Sequence, residues 1–91
     1  MTRAVTAQPG DAELWLFRGR YRIETGDCRD ALEDFGHAIA LAPDNAAAFS
    51  ASGVAHLCAG DRSGARKDFE RALRLDPAQP RIREYLTELE R

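Results

Sequence analysis

Apolar and polar residues follow a helical period along nearly the whole chain. Between Gly26 and Pro43, the residues Ala31, Leu32, Phe35, Ala38, Ile39 and Leu41 recur at helical spacing and form one apolar stripe. Gly26-Asp27 is a turn signal ahead of that stripe, and Asp27 can accept backbone N–H groups left over at a helix start. Pro43 cannot continue a helix and biases Ala42 away from helical geometry. The arrangement then returns as Gly60-Asp61, Ala65, Phe69, Ala72, Leu73, Leu75 and Pro77, each landmark displaced by 34 residues. No stretch of useful length alternates with period two, so no strand is expected.

The interval organises the rest of the chain. Ala12/Ala46, Gly19/Gly53, Asp34/Asp68, Phe35/Phe69, Ala38/Ala72 and Leu41/Leu75 are identical pairs, and Trp15/Phe49, Ile23/Leu57 and Ile39/Leu73 are conservative ones. Each unit holds two helical segments. The predicted helices run from Ala12 to about Thr25, on to about Ala42, from Ala46 to about Ala59, and on to about Asp76. Gly19 and Gly53 lie mid-helix, where glycine costs ~1 kcal/mol against alanine. That repeated cost predicts the close approach of another backbone. Phe35 and Phe69 supply bulk between helices. A last amphipathic helix, from Pro80 to Arg91, carries Ile82, Tyr85, Leu86 and Leu89 on one stripe.

The interval and its landmarks resemble the tetratricopeptide repeat, whose pattern is W-x2-L-G-x2-Y, then A-x3-F, then P, in 34 residues. The first unit shows Trp15, Arg18-Gly19, Arg22, Ala31, Phe35 and Pro43; the second shows Phe49, Ser52-Gly53, His56, Ala65, Phe69 and Pro77. Arg18 and Ser52 depart from the Leu slot, and Arg22 and His56 from the Tyr slot, which weakens the apolar contact expected there. The resemblance implies an all-α, right-handed solenoid of stacked antiparallel helix pairs. Residues 12–45 and 46–79 are the two repeats, and residues 80–91 are a C-terminal capping helix of the kind a solenoid needs. Ala4, Val5 and Pro9 precede Ala38, Ile39 and Pro43 by the same interval, so residues 1–11 read as an N-terminal stub, the tail of a preceding second helix. This predicts the end of a longer array, or an open face covered by a partner or by a second copy.

Charge and composition narrow the function. A net charge of −2 argues against nucleic-acid binding and against a polybasic membrane patch. No apolar run is long enough to span a bilayer, and the first nine residues lack the apolar centre of a signal peptide, so a cytoplasmic location is expected. The first unit is net acidic and the second, with Arg62, Arg66, Lys67, Arg71 and Arg74, is slightly basic.

Reactive side chains form no catalytic constellation. Cys28 and Cys58 sit in no CxxC pair and at no metal-ligand spacing from a histidine, so both read as incidental. His37 reads as solvated beside Glu33 and Asp34, and His56 as packed or half-buried. Asp30, Glu33 and Asp34 read as a solvated surface run. Ser50, Ser52 and Ser63 lack a nucleophile elbow, and Gly60-Asp61-Arg62-Ser63-Gly64 lacks the end of a phosphate loop. No enzymatic activity, cofactor or metal is expected.

The resemblance instead points to a concave groove lined by the first helix of each unit. Projected onto this chain, that face is Glu13, Leu16, Phe17, Arg20 and Glu24, then Ala47, Ser50, Ala51, Val54 and Cys58, then Arg81, Glu84 and Tyr85. Arg20 and Arg81 suit a carboxylate through forked hydrogen bonds. A subclass of the family grips chaperone C-termini with a Lys/Asn/Arg clamp. Here Leu16 stands where that clamp has Lys, Arg20 and Ala51 where it has Asn, and Tyr85 where it has basic charge; only Arg81 suits. Chaperone-tail binding is therefore not expected. The expected function is a non-catalytic protein–protein interaction module or scaffold taking a peptide or protein partner. The alternatives are homo-oligomerisation through the open ends of the solenoid and a regulatory role within a larger protein.

Overall fold

The computed structural model describes residues 11–90. The stub read at residues 1–11 therefore lies almost wholly outside the described residues. Five helices follow one another: α1 (Ala12–Glu24), α2 (Cys28–Leu41), α3 (Ala46–Cys58), α4 (Arg62–Leu75) and α5 (Pro80–Leu89). No strand occurs among the described residues. Each helix packs on the next, and α1 also reaches α3. That stacking makes an all-α solenoid.

The turns explain the helix limits. Gly26 and Gly60 adopt φ of 90° and 84°, a left-handed conformation that favours glycine, and each ends the first helix of its pair. Asp11 caps α1 by accepting from the Glu13 N–H at 3.0 Å, and Asn45 caps α3 by accepting from Ala47 and Ala48 at 2.9 and 3.3 Å. Asp61 caps α4 by accepting from Gly64 at 2.9 Å. Asp27, expected to do the same for α2, makes no side-chain cap bond. Its carboxylate is turned to the Thr25 hydroxyl, which donates to it at 3.3 Å.

The core lies between the helices of each pair and between the pairs. Phe35 and Phe69 are fully buried, with Ala31, Ala38, Ala48, Ala55, Ala65 and Ala72 around them. An added Cβ at Gly19 would run into the Phe35 ring, and one at Gly53 into the Phe69 ring. The mid-helix glycines thus admit an aromatic ring from the next helix, rather than the neighbouring backbone expected from sequence.

Three polar expectations are corrected. Asp34 is not part of a solvated run: it is fully buried, while Asp30 and Glu33 are exposed. It lies beside Phe35 and between Ala31 and Ala38, on the packed face of α2, where Arg18 and Arg22 of α1 neutralise it. The hydrogen bond from Arg18 to Asp34, with the charge of that carboxylate, holds the Arg18 guanidinium above its ordinary pKa. His37 is exposed but not merely solvated, since its ring stacks on Trp15 with centroids 4.4 Å apart. Cys28 and Cys58 are not incidental: they form a disulfide, with Cα atoms 5.9 Å apart. Cys28 starts α2 and Cys58 ends α3, so antiparallel packing of those two helices brings together residues 30 apart in sequence.

Candidate functional site

The first helices of the pairs and α5 border a shallow, open concavity of about 400 Å³. Its wall on α1 is Arg20; on α3 it is Ala47, Ser50, Ala51 and Val54; on α5 it is Arg81, Ile82 and Tyr85, with Gln79 at the edge. Helices α2 and α4 contribute nothing to it. This follows from the amphipathic pattern: the second helices spend their apolar stripes on the core, whereas α3 has small side chains on both faces and leaves room on one.

The floor is held in place by specific contacts. Gln79 donates through Nε2 to the carbonyls of Ala72 and Asp76, at 3.1 and 2.9 Å, tying the start of α5 to the end of α4. Its Oε1 accepts from the Ser50 hydroxyl at 3.0 Å, which fixes Ser50 on the groove wall. The Tyr85 ring stacks on Phe69 with centroids 5.0 Å apart and planes 5° apart. Tyr85 is therefore anchored to the core on one side while it borders the concavity on the other. Arg20 and Arg81 are exposed, and neither makes a salt bridge among the described residues. Two guanidinium groups from different helices thus border a recess whose middle is small and uncharged.

Of the residues projected onto this face, Arg20, Ala47, Ser50, Ala51, Val54, Arg81 and Tyr85 meet around the one concavity. Glu84 falls in an adjoining cleft with Arg81, Tyr85 and Glu88. Glu13 and Glu24 are exposed near the two ends of α1 and do not line the concavity. Leu16 is a correction: it is 1% exposed and belongs to the core, because Leu16, Gly19 and Ile23 form the inward stripe of α1. Phe17 is another: it lies with Leu14, Trp15, Arg18 and Tyr21 around a separate apolar cleft of about 230 Å³. Cys58 is taken up by its bond to Cys28. Gln79 and Ile82 were missed. The signal for Gln79 was its register, 34 residues after Asn45, which marks the start of the next first-type helix.

Comparison with known proteins agrees with this architecture. The family model described as tetratricopeptide repeat matches residues 18–80. Tetratricopeptide repeat protein 36 of Mus musculus is 45% identical over 75 residues, covering 82% of this chain and 40% of that protein. The Hsp70-Hsp90 organizing protein of Triticum aestivum is 31% identical over 85 residues, covering 93% of this chain and 15% of that protein. The chain thus spans well under half the length of these relatives. Among solved structures, the second TPR domain of human RPAP3, in complex with the HSP70 peptide SGPTIEEVD, superposes with a TM-score of 0.91 at 27% identity. The match covers 99% of this chain and 75% of that one. The first TPR of Spaghetti (RPAP3), bound to the HSP90 peptide SRMEEVD, gives 0.92 at 26% identity, covering 98% and 71%. The interval of 34, the glycine–phenylalanine contacts and these matches have one common explanation: the chain belongs to the tetratricopeptide repeat family.

Proposed function

We propose that this chain is a non-catalytic protein–protein interaction module that takes an acidic peptide along the concavity between α1, α3 and α5. The observation that carries this reading is the placement of Arg20 and Arg81 on two helices bordering one recess, without carboxylate partners among the described residues. Guanidinium groups so placed suit the forked recognition of carboxylates. The walls are preformed by packed helices, so little ordering is needed on docking. The two solved relatives hold peptides with paired glutamates ahead of a terminal Val-Asp, which supports an acidic ligand. The mode of recognition differs from a C-terminal clamp. Leu16 is buried, and Ala51 and Tyr85 carry neither an amide nor a charge, so the arginines read side-chain carboxylates more than the chain end.

Fluorescence polarisation with a labelled SRMEEVD peptide, used as an acidic probe read through its glutamates and not as a chaperone tail gripped by its chain end, tests this. Saturable binding is expected, and Arg20→Glu and Arg81→Glu should each weaken it about tenfold or more, the scale of a charged hydrogen bond. Melting temperatures should not change. Glu-to-Gln replacement in the peptide should weaken binding more than amidation of its C-terminus. Absence of saturable binding, or equal binding of the neutral peptide, overturns the reading.

A second reading, self-association, rests on the outer face of α1, where Phe17 is 74% and Tyr21 61% exposed beside the apolar cleft. Light scattering across a concentration series should then show a rise in mass that Phe17→Asp abolishes. A concentration-independent monomer mass overturns it.

A further inference from the structure

We infer that Cys28 and Cys58 form a reversible thiol–disulfide exchange site whose reaction partner is a small disulfide of the glutathione type. Helices α2 and α3 are antiparallel neighbours joined at one end by the short turn Ala42–Asn45, where the Asn45 N–H bonds the Ala42 carbonyl at 3.0 Å. At the opposite, open end of that hairpin the first residue of α2 meets the last residue of α3, with Cα atoms 5.9 Å apart. That separation is within the range a disulfide spans without moving the backbone. The bond is the covalent counterpart of the turn, and it pins repeat one to repeat two.

The pair is also reachable. Cys58 is exposed, and both cysteines border a surface cleft of about 350 Å³ formed with Gly26, Asp27, Arg29, Asp30 and Ala59. Cys28 is only 8% exposed. This asymmetry sets the order of steps. The Cys58 thiolate attacks one sulfur of glutathione disulfide, forming a mixed disulfide on Cys58 and releasing one glutathione thiolate. The Cys28 thiolate then attacks the Cys58 sulfur, closing the Cys28–Cys58 bond and releasing the second glutathione. The two thiol protons leave for the released thiolates. Two electrons pass from the cysteine pair to glutathione disulfide, and excess glutathione reverses both steps. Oxidation locks the open end of the α2–α3 hairpin, and reduction frees it. The inference stands independently of the peptide-binding reading.

The test uses the whole chain, reduced, in native buffers of graded glutathione disulfide to glutathione ratio, quenched in acid, alkylated and weighed intact. Raising the ratio should convert the chain from two alkylated thiols to none, with a mass two hydrogens below that of the unalkylated reduced chain, and added glutathione should restore the doubly alkylated form. In the reduced chain Cys58 should alkylate before Cys28. The oxidised form should melt at least about 10 °C higher, as expected for closing a loop of this length in a small domain. Cys58→Ser should abolish both the conversion and the melting shift. Four results overturn the inference: thiols that stay alkylatable at every ratio, glutathione retained on Cys58, disulfide-linked dimers in place of the internal bond, or an oxidised chain that melts no higher.

Discussion

Arg18 grips the buried carboxylate of Asp34 with two nitrogens: Nε donates to both oxygens at 3.2 Å, and Nη2 donates to Oδ1 at 2.9 Å. Arg22 adds an ion pair at 3.4 Å. The second repeat places a different pair in the same register. There the Ser52 hydroxyl donates to Asp68 at 2.6 Å, and His56 Nε2 lies 3.3 Å from the same oxygen. Arg18 and Ser52 occupy the slot that the family pattern gives to Leu, and Arg22 and His56 the one it gives to Tyr. Each repeat thus exchanges an apolar contact for a carboxylate clasped by the preceding helix.

The clasp predicts an asymmetric mutational response. Arg18→Met with Arg22→Met leaves Asp34 buried and unpaired, and should cost about 3–5 kcal/mol in chemical denaturation. Adding Asp34→Leu removes the stranded charge and should recover most of that loss. A double variant that unfolds at the wild-type denaturant concentration would show that Asp34 reaches water.

Glycine positions predict opposite signs for one substitution. Gly19→Ala gains up to ~1 kcal/mol of helix propensity but drives a methyl into the fully buried Phe35 ring, and overpacking of this kind costs about 1–3 kcal/mol. Net destabilisation is expected, and Gly53→Ala should behave alike against Phe69. Gly36 is exposed in the middle of α2 with nothing within 4 Å of an added Cβ, so Gly36→Ala should stabilise by up to ~1 kcal/mol. Urea midpoints of the three variants decide this by sign alone.

Much of this architecture was legible in the sequence because it is periodic. Gly26, Phe35 and Pro43 return after one fixed interval, and each does one packing or turning job that admits few other residues. Asp34 was misread because three acidic residues close together look like a solvated run. Its recurrence as Asp68, and the polar residues opposite in the Leu and Tyr slots, carried the correct answer. Leu16 was misplaced because the groove face was projected from family geometry and not from the inward stripe through Gly19 and Ile23. The Cys28–Cys58 bond lies beyond any spacing rule. It joins a helix start to a helix end that only the packing of α2 on α3 brings together.

Phe35 should be among the costliest truncations in the chain. It is fully buried and fills the gap above Gly19. Phe35→Ala should cost about 3–5 kcal/mol, the range for a core aromatic. Phe35→Leu, which keeps part of the volume, should cost less. Thermal melts of the two variants check the order, and equal stability of Phe35→Ala and wild type would contradict the packing of α1 on α2.

Asp27 and Asp61 hold the same place in the two repeats but do different work, so the same substitution should have unequal effects. Asp61→Ala removes the bond to the Gly64 N–H at 2.9 Å and the carboxylate that lies 3.1 Å from His56 Nδ1. The cap alone is worth about 0.5–2 kcal/mol. Asp27→Ala removes no helix cap, only an exposed bond from the Thr25 hydroxyl, and should change stability by less than about 0.5 kcal/mol. Denaturation of the two single variants and the double variant measures both effects. The sites belong to different helix starts, so the double variant should show the sum of the two.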